Sequence, residues 1–148
     1  MTLLMMTDAI RLFLFPALMA FSAFSDLFTM TISNRISILL IAGFGVMAAL
    51  IGMNLSDILS HAGAGLAVLA VTFTFFACGW IGGGDAKLAA ATALWLGFDP
   101  LLEYLLTASI FGGALTLVIM RFRLMPMPAL LQGQEWAARL HRIDAGVP

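Results

Sequence analysis

Twenty-four consecutive residues, Ile58 to Ile81, contain no Asp, Glu, Lys or Arg. A helix of about 20 apolar residues matches the roughly 30 Å hydrocarbon core of a bilayer, so a run of this length is read as a membrane span. Apolar stretches recur at Ala9–Phe24, Ile36–Met53 and Leu101–Met120, with a shorter one at Leu88–Phe98. Only 10% of the 148 residues are charged and 62% are hydrophobic, whereas a soluble domain carries about 25% charged residues. That leaves too little polar surface to cover a water-facing globule. The expected fold is an all-α, polytopic membrane helix bundle, one domain over residues 1–148, with five membrane helices and a C-terminal amphipathic helix.

Details of the stretches refine this. The first reads as a retained helix, because Asp8 precedes Arg11 and no small-x-small cleavage site follows the apolar run. Asp85 to Phe98 is too short to cross the bilayer at 1.5 Å per residue, which predicts a helix that starts inside the membrane protein. Orientation follows from the basic residues. With the segment from Asp26 to Arg35 on the cytoplasmic side, Arg35, Lys87, Arg121, Arg123, Arg139 and Arg142 all fall inside, six of the seven Lys and Arg residues. The loops holding Asp26 and Asp85 are then cytoplasmic and the N-terminus external.

Beyond Met120 the composition changes. Pro126 and Pro128 interrupt helix, and residues 127–145 read as an amphipathic cytoplasmic surface segment. Ala129, Trp136, Leu140 and Ile143 form one face; Gln132, Glu135, Arg139 and Arg142 form the other, with Glu135 and Arg139 at i,i+4. Such a helix either lies in the headgroup layer or packs on the protein's own loops. His141 is expected to be exposed or headgroup-facing, and neither it nor His61 belongs to a ligand constellation. The single cysteine, Cys78, excludes an intrachain disulfide and a Cys-based zinc cluster; inside an apolar run it reads as a small buried hydrophobe. A net charge of −1 argues against a nucleic-acid partner. No metal or other cofactor is implied.

Ionisable groups beside apolar spans are costly and mark functional sites by default. Asp26 closes the first stretch and Asp85 opens the fourth after Gly82-Gly83-Gly84. The alternation of spans puts both on one side at similar depth. Two carboxyls brought together share a proton, so one can serve as base and the other as acid in a hydrolysis that needs no metal. The glycines permit unusual backbone angles or close approach of a second segment. Taken singly, each aspartate also reads as a helix cap. Lys87 reads as snorkelling to the surface rather than pairing with Asp85, since i,i+2 side chains diverge. Asn34 reads as a turn or cap residue.

The stretch Gly82-Gly83-Gly84-Asp85-Ala86-Lys87-Leu88 resembles the GxGD signature of type IV prepilin leader peptidases. Ser25-Asp26-Leu27-Phe28-Thr29-Met30-Thr31-Ile32-Ser33-Asn34 is similar to that family's first aspartate motif, an Asp followed by Ile-Pro-Asn. Together they look like the short CpaA/TadV branch. The resemblance implies a multi-pass protein of the bacterial inner membrane, an aspartic endopeptidase that removes the basic leader of Flp-type prepilins at the cytoplasmic face. Asp26 and Asp85 match the catalytic pair, and Gly82 and Gly84 the motif's glycines. Tight-adherence pilus assembly components are the implied partners besides the bilayer and the prepilin. Ser33 stands where the family has proline, which is expected to loosen the turn before Asn34. One cysteine leaves no room for the cysteine tetrad of the larger, methylating relatives. The family's sixth span, opening with a Pro-Tyr-Gly-like sequence, has no counterpart before Pro148, so an inactive truncated remnant is one alternative. A small proton-coupled transporter or accessory subunit, with the aspartates as relay groups, is another.

Overall fold

The computed structural model describes residues 13–29, 31–126 and 133–142. Among them are six helices: α1 (Phe15–Thr29), α2 (Asn34–Ile51), α3 (Leu55–Ala77), α4 (Gly83–Leu96), α5 (Leu101–Leu124) and α6 (Glu135–His141). The all-helical membrane bundle expected from composition is what forms. α2, α3 and α5 are long and apolar enough to cross a membrane by themselves. α1 and α4, at 15 and 14 residues, are shorter than a full span.

Local chemistry sets the boundaries. α2 begins after Ser33, whose hydroxyl accepts from the Arg35 N–H at 3.3 Å, so the serine that was expected to loosen this turn is the N-cap that starts the helix. It ends at Gly52, left-handed at φ 63°, whose N–H closes on the Ala48 and Ala49 carbonyls. Asn54 caps α3, its Oδ1 accepting from the Asp57 N–H at 2.8 Å while its amide donates to the Asp57 carboxylate at 2.7 Å. α3 stops at Ala77, short of the apolar run's end at Ile81, because Gly79 turns left-handed at φ 74°. Cys78 therefore lies on the turn and is exposed, correcting the expectation of a buried residue.

α4 is the pivot of the bundle. Against α3 it presents small residues: a Cβ added to Gly65 would stand 3.2 Å from the Ala90 carbonyl and 3.3 Å from the Leu94 Cβ, the close approach that small residues permit between membrane helices. Thr72 of α3 donates across this seam to the Ala86 carbonyl at 3.3 Å. Against α2, Ala91 and Trp95 pack on Leu40, Phe44 and Met47, and the Trp95 indole N–H donates to the Leu40 carbonyl at 2.8 Å. That bond satisfies the one polar group of a buried indole. The Phe15 ring of α1 lies 5.3 Å from Trp95, and Thr92 of α4 faces Met19 of α1, Oγ1 to Sδ 3.6 Å. At 14 residues, α4 is roughly 21 Å long, about two-thirds of a hydrocarbon core, the shortness expected from the sequence.

Two elements stand apart. α5 buries only Leu101 and Ile119 and exposes Leu102, Ile110, Phe111 and Leu117, an outline suited to lipid and unsuited to water. α6 packs on the protein rather than lying free: Ala137 and Leu140 are buried, Trp136 meets Phe28 of α1 edge-on at 5.8 Å, and the Arg123 guanidinium of α5 donates to the Leu140 carbonyl at 2.8 Å. These contacts are made by the described part of the segment, residues 133–142. His141 is not fully exposed as expected; its ring meets Phe122 at 5.2 Å and its Nδ1 is shielded from solvent. Of the expected amphipathic pattern, Ala129, Gln132 and Ile143 lie outside the described residues, as does the side chain of Arg139.

Candidate functional site

The first aspartate sits near the end of a helix whose exit is tied by hydroxyls. The Ser25 hydroxyl donates to the Thr31 carbonyl at 3.2 Å, and the Thr29 hydroxyl to the Ser25 carbonyl at 2.7 Å. The Thr31 hydroxyl lies 2.9 Å from that of Thr29. These bonds bracket Asp26 and fold the connection to α2 back over the end of α1. Asp26, in the last turn, is half-buried. Sequence reasoning did not single out Ser25, Thr29 and Thr31, although a Ser-x-x-x-Thr-x-Thr spacing beside a helix end is a recognisable source of such side-chain-to-backbone closure.

The second aspartate is set by the glycines. Gly82 caps α4 with extended backbone, φ −73°, and its N–H donates to Asp85 Oδ2 at 3.3 Å. A Cβ on Gly82 would stand 2.9 Å from that same oxygen. A Cβ on Gly84 would stand 2.9 Å from the Ile32 Cβ and 3.3 Å from the Ile32 carbonyl. None of the three adopts positive φ, so of the two roles foreseen for the glycines only close approach is used. The start of α4 is thus pressed against the segment that follows Asp26, which brings the two aspartates together. Asp85 is exposed.

Asp26 and Asp85 line one cleft of about 260 Å³, with Thr31, Ile32, Gly82, Gly83 and Gly84 as its remaining walls. The two carboxyls are near enough for the charge of one to bear on the other. Every wall residue comes from the two sequence motifs, and backbone supplies much of the surface.

A second tie joins the motifs. Lys87 Nζ donates to Asn34 Oδ1 at 3.0 Å, across 53 positions of sequence. Lys87 neither pairs with Asp85 nor simply reaches for water; it links the second turn of α4 to the first residue of α2. Neither residue lines the cleft; Lys87 shares α4 with Asp85, and Asn34 opens α2, just after the segment that follows Asp26. The spacing gave no signal for this contact. Among the described residues no group of three or more His, Cys, Asp or Glu side chains could hold a metal ion. His61 instead bonds through Nδ1 to the Leu94 carbonyl at 2.8 Å and stacks on Phe44.

Set beside known families, residues 13–117 match the model of the type IV leader peptidase family, more than half of the 148-residue chain. Among curated proteins and among solved structures, nothing matches.

Proposed function

The chain belongs to the type IV leader peptidase family, and on that premise we propose that Asp26 and Asp85 are its catalytic pair, removing the basic leader of Flp-type prepilins at the cytoplasmic face of the bacterial inner membrane. The observation that carries this reading is the shared cleft: two carboxyls that stand 59 positions apart in sequence, 26 to 85, line one recess of about 260 Å³.

The chemistry follows from the pair. For such a pair to hydrolyse a peptide without a metal, one carboxyl acts in its ionised form and the other in its protonated form. The ionised carboxylate takes a proton from a water as its oxygen adds to the scissile carbonyl carbon. The protonated partner donates to the carbonyl oxygen, and collapse of the tetrahedral adduct expels the amine with a proton returned from the dyad. Gly82, Gly83 and Gly84 leave one wall of the cleft free of side chains, so a peptide can lie there against main chain. The basic residues counted on the same side support the cytoplasmic placement, and the short pattern of the two motifs supports the Flp-type substrate.

Co-expression with a Flp-type prepilin tests the reading directly, with leader loss followed by the mobility of the pilin on a gel. Wild type should convert the prepilin, and Asp26→Asn and Asp85→Asn should each leave it uncut. Cleavage that persists in either variant would remove that aspartate from the mechanism.

A further inference from the structure

A groove of about 580 Å³ runs between α2, α3 and α4, apart from the aspartate cleft. Gly65, Ala90 and Ala91 give it a shallow floor, and Ile38 and Leu66, each more than 60% exposed, stand at its rims. Its polar side chains, Asn34, Ser37 and Lys87, all stand at one end, where α2 and α4 begin. From there to Leu94 the lining is apolar over seven residues of α4, roughly 10 Å, most of the ~15 Å thickness of one leaflet's hydrocarbon. Lys87 bonds to Asn34 Oδ1, and among the described residues no carboxylate pairs with its ammonium group.

A polar end with an unneutralised cation, followed by an apolar trough of single-leaflet depth, has the chemical outline of an anionic amphiphile. A crossing helix fits less well. It would have no reason to change character at Lys87, and one led by a basic segment would meet a like charge there. We propose that the groove binds an anionic phospholipid, one acyl chain along Gly65 and Ala90 and the phosphate held by the Lys87 ammonium and the Asn34 amide N–H groups. The site rests on the membrane assignment and is independent of the peptidase reading.

Native mass spectrometry of the full chain, released from micelles containing equimolar dioleoylphosphatidylglycerol and dioleoylphosphatidylcholine, tests it, since the two probes differ only in headgroup. Phosphatidylglycerol should be retained about fivefold over phosphatidylcholine. Lys87→Gln should bring the ratio close to unity, and Lys87→Arg should keep it. Ile38→Trp, which fills the groove from its rim, should lower retention of both lipids, while Ile110→Trp on the exposed face of α5 should change nothing. Equal retention of the two lipids by wild type, or a preference surviving Lys87→Gln, overturns the proposal. So does retention unaffected by Ile38→Trp, or displacement of both lipids alike by a synthetic apolar helix.

Discussion

At the scale of single residues, Gly82 and Gly84 differ in what a methyl group would strike. On Gly82 it would meet a carboxylate oxygen at the end of a side chain that can rotate; on Gly84 it would meet the Cβ and backbone of Ile32. Gly82→Ala should therefore turn Asp85 and cut leader removal sharply while leaving the thermal midpoint in detergent nearly unchanged. Gly84→Ala should separate α4 from the first motif, lowering stability by about 1–3 kcal/mol as well as activity. Thermal unfolding and cleavage, measured side by side, distinguish the two. The Lys87–Asn34 bond predicts a different pattern. Asn34→Ala should slow cleavage about tenfold, in keeping with the ~1.5 kcal/mol of a hydrogen bond to a charged group. Combining it with Lys87→Gln should add little, because both remove the same interaction. With its cation still in place, Asn34→Ala should nonetheless keep most of the phosphatidylglycerol preference.

At the scale of elements, the seam between α3 and α4 is the tightest dependence. Gly65 lets the α4 backbone come within van der Waals reach, and α4 carries Asp85. Gly65→Val should force the helices apart, costing roughly 1–3 kcal/mol and reducing cleavage without touching the cleft, as read by thermal unfolding and a prepilin assay. Much of this level was legible in the sequence. Charge-free runs located the spans, and the shortness of Asp85 to Phe98 forecast a helix that does not cross alone. Boundaries were less legible, since Gly79 acts through backbone geometry and Ser33 through a capping hydroxyl, both of which apolar counting ignores. The Gly-Gly-Gly-Asp run announced a close approach but not its partner; that Ile32 fills the role depends on how α1 turns into α2. Lys87 with Asn34 was invisible for the same reason, as each residue alone suits a surface position.

At the scale of the whole molecule, the lone cysteine offers a test of orientation. Cys78 is exposed on the turn between α3 and α4, a few residues before Asp85, so it reports the side on which the aspartates open. A membrane-impermeant maleimide should label it in inverted vesicles and spare it in intact spheroplasts; the reverse result would place the cleft outside. The arrangement has a further consequence for the bilayer. The Thr72–Ala86 bond aligns the start of α4 with a level of α3 that lies five residues before its end at Ala77, roughly 7 Å of helix. The start of α4, and Asp85 with it, thus lies short of the end of α3, on a helix too short for an average membrane. Lipids that tilt or thin to meet α4 would draw the water boundary down towards the cleft. Hydrophobic mismatch, ordinarily a cost of insertion, would then govern how readily the nucleophile arrives.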